Sequence, residues 1–289
     1  MKSRGLELYI KDYANLLRKI SKFAKHPEKL YIITDFDRTL TYTCINNKKI
    51  PSLISVLRDP KFGILGEDYI RRAHELFNKY HPYEHDPSLN IEEKNSLMQR
   101  WWREHYSLLI EKGLRRQDID KAVSYFKGKL REYVKEFFRV AHEYKVPIII
   151  ISSCGLGSYA VHKYLDVHGI NYDNVYVISN ELEWDSNGKM VGWKEPLITG
   201  FSKYLINLKE FRDIYEVIKD KDYGLVFGDN EDDYIVGKNN SRDMIAIGFV
   251  MRDVQNFDIL AEEYNALITN DGDFSFAFDV FKRIIKQPF

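Results

Sequence analysis

The apolar residues of this chain fall into two rhythms. Short unbroken runs occur at Leu30–Ile33, at Pro147–Ile151 with its four consecutive isoleucines, and at Asn174–Ser179, Tyr223–Phe227, Met244–Ile247 and Ala266–Thr269. Runs of this length, bounded by polar residues, predict strands buried on both faces. Between them, apolar positions at helical spacing predict helices over Tyr159–His168, Leu208–Ile218, Val254–Tyr264 and Phe274–Ile285, with an earlier amphipathic helix from about Leu6 to Phe23. Strands alternating with helices call for an α/β fold, a Rossmann-like and mostly parallel sheet covered on both faces. Such sheets bind ligands beyond the carboxyl ends of their strands.

One interval breaks the alternation. From Ile33 to Pro147 the chain is far longer than the roughly 30 residues a βαβ unit needs. It carries helical patterns near Asp68–Lys79, Ile91–Glu111, Gln117–Phe126 and Leu130–Tyr144. The last serves as the crossover helix; the others predict a helical insertion over the strand ends. The chain then divides into a core of residues 1–41 and 131–289 and an insertion of residues 42–130. Asn187-Gly188 is a two-residue turn signal, predicting a hairpin between Leu182–Trp184 and Met190–Trp193.

Composition narrows the function. Apolar residues make up 44% of the 289, enough for a packed core. Lysine plus arginine and aspartate plus glutamate balance at 43 each, which argues against a nucleic-acid backbone or an anionic membrane as partner. A small phosphorylated substrate needs only a local positive pocket. The two cysteines, Cys44 and Cys154, allow one structural disulfide but do not make a disulfide scaffold. With no apolar leader and no apolar run long enough to span a bilayer, a cytoplasmic location is expected.

Polar clusters follow the predicted strands. Asp35 and Asp37 come first; two carboxylates one residue apart can divide nucleophilic and proton-transfer work, although Asp-x-Asp also occurs on solvated loops. Ser153-Cys154-Gly155 offers a hydroxyl and successive N–H groups suited to phosphate. Gly155-x-Gly157-x-x-Ala160 also mimics a dinucleotide fingerprint, but the acidic residue that pattern wants is poorly matched at Ser179-Asn180. Lys203 is a single lysine beyond the hairpin. Gly228-Asp229-Asn230-Glu231-Asp232-Asp233 could hold a hard cation or begin an acidic helix.

The order of these clusters is more informative than any one of them. Asp-x-Asp-x-Thr (Asp35, Asp37, Thr39), then Ser153, then Lys203, then Gly-Asp-x-x-x-Asp (Asp229, Asp233) resembles the haloacid-dehalogenase superfamily of phosphatases. Within the insertion, Tyr83-Glu84-His85-Asp86-Pro87, Glu92-Glu93-Lys94, Met98-Gln99-Arg100-Trp101-Trp102 and Leu108-Leu109-Ile110 are similar to the cap of the cytosolic pyrimidine 5′-nucleotidases, the type III family. The likeness continues through Gly192-Trp193-Lys194, Lys203 and Phe227-Gly228-Asp229.

That resemblance implies a haloacid-dehalogenase-like core with a cap, a monomer, and Mg²⁺-dependent hydrolysis of nucleoside 5′-monophosphates. Mg²⁺ would be held by Asp35, Asp229 and the Asp37 carbonyl. Asp35 is the implied nucleophile and Asp37 the acid and base. Lys203, Ser153 and the Cys154 N–H would hold phosphoryl oxygens, with Asp233 and Thr39 supporting. Glu84 and Trp102 would meet the base. The chain has Glu104-His105-Tyr106 where the family usually has a Lys-Ser-His-type stretch, which makes His105 a candidate contact, and Arg38 stands where a methionine is common. CMP, UMP and 7-methylguanosine monophosphate are the candidate substrates, with phosphotransfer to nucleosides as a side reaction. A phosphatase for another monoester such as phosphoserine, or an idle nucleotide-binding protein, is the alternative.

Overall fold

The computed structural model describes residues 7–45, 48–126, 128–252, 254 and 256–286. In chain order the elements are β1 (Glu7–Ile10), α1 (Tyr13–Phe23), β2 (Leu30–Thr34), β3 (Cys44–Ile45), β4 (Lys48–Lys49), α2 (Gly66–Glu84), α3 (Ile91–Glu111), α4 (Arg116–Tyr125), α5 (Val134–Glu143), β5 (Ile148–Ile151) and α6 (Gly157–His168). There follow β6 (Val175–Ile178), β7 (Leu182–Trp184), β8 (Met190–Trp193), α7 (Arg212–Ile218), β9 (Tyr223–Gly228), α8 (Glu231–Asn240), β10 (Asp243–Phe249), α9 (Phe257–Glu263), β11 (Ala266–Thr269) and α10 (Ser275–Ile285).

Seven strands form one sheet in the order β1-β11-β10-β9-β2-β5-β6. All neighbours are parallel except β1, which runs antiparallel to β11. The apolar runs read from the sequence are these strands, and their composition follows from burial on both faces. Along β2, Ile32 packs into the cluster that holds Leu16, Phe137 and Val161, while Tyr31 and Ile33 pack into the one that holds Ile214, Val236 and Leu260. The isoleucines of β5 alternate in the same way between the two clusters. A strand covered by helices on both sides has no polar face to show.

The N-terminal segment corrects the sequence reading. Leu6 lies outside the described residues, and residues Glu7–Ile10 are the edge strand β1 rather than the start of a helix. The helix begins only at Tyr13, after Asp12 caps it by accepting from the Asn15 N–H at 2.9 Å. The acidic cluster after Gly228 does open a helix, α8, one of its two sequence readings; the length of α8 was not read, because it has no apolar stripe and its buried residues include Asp232 and Asp233. The hairpin β7–β8 forms as expected, and Cys44 and Cys154 form no disulfide.

Helices α2 to α4 lie between β2 and α5 in sequence, with α2 and α3 packed together. Helix α3 opens with a capping box: Asn90 Oδ1 accepts from the Glu93 N–H at 3.0 Å, and Glu93 Oε2 accepts from the Asn90 N–H at 2.9 Å. The helix then crosses onto the sheet domain. Tyr106 meets Trp193 at 5.6 Å between ring centroids, Arg103 Nε donates to Glu195 Oε1 at 2.8 Å, and Thr199 Oγ1 donates to Asn95 Oδ1 at 2.7 Å. Among the described residues no helix is long and apolar enough to cross a membrane.

Candidate active site

The register of the three central strands creates the site. Thr34 pairs with Phe227 on one side and with Ile150 on the other. The residues that follow, Asp35, Gly228-Asp229 and Ser152-Ser153, therefore emerge at one edge of the sheet, where the strand order of an open α/β sheet leaves a crevice. The Asp35 N–H still donates to Phe227 O at 3.0 Å, so its backbone is fixed by the ladder.

Lys203, 168 positions from Asp35, joins this edge. It lies in a short 3₁₀ turn, is 3% exposed, and its Nζ donates to Asp35 Oδ1 and, at 3.0 Å, to Asp233 Oδ1. Burial disfavours the Lys203 charge, but the Asp233 and Asp35 carboxylates outweigh it and hold the ammonium well above its usual range. Asp233 in turn accepts the Asp229 N–H through Oδ2 at 3.1 Å, and its own N–H is capped by Asn230 Oδ1 at 3.1 Å. Gly228 is required here: a Cβ at that position would collide with the Asp233 side chain.

Asp35, Asp229 and Asp233 bring carboxylate oxygens within 4.8 Å of one another. Burial, with the Asp35 charge adding to it, raises the Asp229 carboxyl, and the same two causes push Asp37 up to about 7. Three hard oxygen donors repelling one another match what a small divalent cation needs, and such a cation would relieve that repulsion. The donor set fits Mg²⁺ better than a softer metal.

The other expected residues are placed as follows. Ser153 is half-buried at the end of β5, and the Cys154 N–H donates to Ser152 Oγ at 3.2 Å. Thr39 is fully buried, and its hydroxyl has no hydrogen-bond partner among the described residues. Arg38 is exposed with a left-handed φ of 64°, and its charge opposes the rise at Asp37 and Asp229. Trp102 reaches the core: a Cβ on Gly155 would collide with the Trp102 ring and would stand 2.9 Å from Ile54 Cδ1. Gly157 is fixed separately, by a φ of 74° and the close approach of Asn180 O. Both glycines of the dinucleotide-like pattern thus have packing causes of their own.

His105 sits differently from an open contact. It is 3% exposed, its Nε2 shares a hydrogen bond with the Tyr69 hydroxyl at 2.9 Å, and burial, helped by the Arg58 charge, pushes the imidazole down to about 3. Its ring lies 6.2 Å from that of Trp102, so it backs the tryptophan from within α3. Glu84 is half-buried at the end of α2, beside His81 and His85.

Two positioning residues escaped the sequence reading. Asn180 Oδ1 accepts from the Ile198 N–H at 2.8 Å while its Nδ2 donates to Ile198 O at 3.0 Å, clamping the segment that leads to Lys203. Arg131, 2% exposed, donates to the carbonyls of Thr39 at 2.9 Å and Arg38 at 2.5 Å and pairs with Asp271 at 3.0 Å. A polar residue at a strand end was a weak hint for Asn180; a lone arginine gave none.

Known proteins bear on this geometry. The 7-methylguanosine phosphate-specific 5′-nucleotidase A of Xenopus laevis is 27% identical over 266 residues, covering 91% of this chain and 90% of that protein. A crystal structure of cytosolic 5′-nucleotidase IIIB bound to cytidine superposes with a TM-score of 0.82 at 24% identity, covering 96% of this chain and 93% of that one. A probable phosphoserine phosphatase from Vibrio cholerae shares the core less closely, with a TM-score of 0.53 at 14% identity, covering 89% of this chain and 65% of that one. Residues 38–286 match the family model described as Pyrimidine 5′-nucleotidase (UMPH-1). The match starts just after Asp37, so the first two carboxylates rest on their place in the fold, while the rest of the site and all of α2 to α4 fall inside it. The chain belongs to the pyrimidine 5′-nucleotidase family.

Proposed function

We propose that this chain is a Mg²⁺-dependent 5′-nucleotidase that hydrolyses nucleoside 5′-monophosphates through an aspartyl-phosphate on Asp35. The observation that carries this reading is the buried Lys203 ammonium between Asp35 and Asp233, with a cap tryptophan resting on the adjacent Ser153–Gly155 loop. The division into a core of residues 1–41 and 131–289 and a cap of residues 42–130 belongs to the same proposal, as do the cytoplasmic location and the monomeric state.

A phosphate dianion repels a carboxylate nucleophile; Asp35, Asp229 and the Asp37 carbonyl would hold Mg²⁺, which would supply the compensating charge. Lys203, the Ser153 hydroxyl and the Cys154 N–H bind the phosphoryl oxygens; the long bond from Cys154 to Ser152 gives way to substrate. An Asp35 oxygen attacks phosphorus, the bond to the nucleoside 5′ oxygen breaks, and Asp37 gives that oxygen a proton. Asp37 then takes a proton from the water that attacks phosphorus, releasing phosphate and restoring Asp35. An acceptor nucleoside in place of water would give phosphotransfer. Asp233 positions Lys203, and Thr39 supports the loop. Trp102 offers a stacking face to the base, His105 holds that ring in place, and Glu84 accepts a hydrogen bond from a base amine.

A steady-state panel of CMP, UMP, 7-methylguanosine monophosphate and phosphoserine tests the reading. At least one nucleotide should exceed phosphoserine in kcat/KM by about a hundredfold or more, since a site built to hydrogen-bond polar groups rejects analogues lacking them by up to about 10⁴–10⁵. Excess EDTA should remove turnover and Mg²⁺ restore it. Faster phosphoserine turnover, or turnover that survives chelation, overturns it. The cap contact has its own test in Gly155→Ala, which pushes Trp102 off the loop. Its kcat/KM for CMP should fall about tenfold, with that for p-nitrophenyl phosphate falling much less, since a shift of roughly 1 Å is enough to misplace a bound group.

A further inference from the structure

The cap carries a cation whose role the family reading leaves open. Arg58 ends the 3₁₀ segment Leu53–Arg58, which brings Ile54 against the same Gly155 that Trp102 covers. Four residues of 3₁₀ helix rise about 8 Å, which is the separation of the Arg58 Cα from that of Ile54 along the segment. Its guanidinium stands 4.1 Å from the Phe77 ring centroid, and Phe77 meets Trp101 at 5.9 Å. The Arg58 charge also acts on Tyr69 and His105, and His105 neighbours Trp102.

Arg58 is half-buried, yet among the described residues it pairs with no carboxylate; its one hydrogen bond is from Nη2 to the Ser55 hydroxyl at 3.2 Å. A guanidinium has five donors, and a half-buried one left with a single neutral acceptor is short of partners. Its surroundings are aromatic or neutral: Phe77, Tyr69, a neutral His105 and Ser55. Two turns further along the same helix, on the same face as Phe77, lies the acceptor Glu84.

We propose that Arg58 is a specificity-determining residue that selects a neutral base carrying carbonyl or ring-nitrogen acceptors and rejects a cationic one. This rests on the nucleotidase reading and names the substrate within it. Cytosine presents O2 and N3 as acceptors and an exocyclic amine as donor, which suits Arg58 on one side and Glu84 on the other. The 7-methylguanine ring carries a delocalised positive charge. That charge stacks well on a tryptophan, but here it must also approach an unneutralised guanidinium. This chain therefore differs in base preference from the 7-methylguanosine-specific proteins it resembles.

The test compares kcat/KM for CMP and 7-methylguanosine monophosphate in the wild type and in Arg58→Met and Arg58→Lys. The wild type should favour CMP by at least about tenfold, the discrimination of one good polar contact. Arg58→Met should shrink that ratio by about tenfold, losing CMP turnover and gaining 7-methylguanosine monophosphate turnover, while Arg58→Lys, which keeps the charge, should retain most of it. The ratio is taken within one preparation, so a variant that is partly unfolded still reports it. A wild type that prefers the cationic base, or a ratio that Arg58→Met leaves unchanged, overturns the proposal. A wild type that turns over phosphoserine but neither nucleotide overturns the nucleotidase reading and this inference with it.

Discussion

Asp35→Asn is expected to lower kcat by about ten-thousand-fold or more, the scale of removing a covalent nucleophile from an intact site. The substitution keeps the size of the side chain and leaves Lys203 its second partner, Asp233 at 3.0 Å. The backbone of residue 35 stays pinned by its bond to Phe227 O, so the fold around the site should persist. What is lost is the attacking oxygen's charge, because an amide oxygen is a poor nucleophile toward phosphorus. Rapid acid quench with labelled nucleotide should trap phosphoenzyme in the wild type and none in the variant. Activity within tenfold of the wild type, with a native circular dichroism spectrum, would sink the covalent mechanism. The carboxylates left behind provide a second readout. Asp229 and Asp37 are both raised in part by the Asp35 charge, so its removal should let both ionise more easily.

The parts of this site legible in the sequence were those tied to strand ends. Asp35, Ser153 and Asp229 each follow an apolar run, and a parallel sheet brings such ends to one edge whatever lies between them. Lys203 was legible only through the order of motifs, since nothing local marks one lysine as buried. The edge strand β1 was misread because its residues continue into an amphipathic helix, and the Asp12 cap that separates the two is a single residue. Helix α8 was legible only as an acidic start, because Asp233 turns into the site and its buried side mixes Asp232 and Asp233 with Val236 and Gly237 instead of an apolar stripe. Contacts between α3 and the segments that follow β5 and β8 were beyond reach for a different reason. Thr199 with Asn95, and Trp102 with Gly155, join positions far apart in sequence, and a tertiary pair of that kind leaves no periodic trace. Gly155 itself was read as a phosphate-loop glycine, whereas its missing side chain makes room for a tryptophan.

The same lack of sequence signal hides the residue with the largest expected effect on stability. Arg131→Met should destabilise the fold by about 3–5 kcal/mol, the cost of breaking a buried pair by removing one partner. The guanidinium directs its donors to two loops at once, Arg38–Thr39 and Asp271–Gly272. Nε reaches Thr39 O at 2.9 Å, Nη2 reaches Arg38 O at 2.5 Å, and Nη1 reaches Gly272 O at 2.6 Å and Asp271 Oδ1 at 3.0 Å. Asp271 then accepts the N–H groups of Thr43 at 2.8 Å and Cys44 at 3.0 Å. The segment that follows Asp37 is therefore held at both ends by one arginine–aspartate pair, which explains how Arg38 keeps a left-handed φ without glycine. Methionine fills the volume against Phe249 and Tyr42 but satisfies none of these acceptors. Urea titration should show the loss directly, and the melting temperature should fall by roughly 5–15 °C for a chain of this size. Arg131→Lys should land between the two, because an ammonium keeps the charge but cannot span the fork. A loss under about 1 kcal/mol in Arg131→Met, the range of an exposed pair, would mean that the loop after Asp37 is held by other contacts.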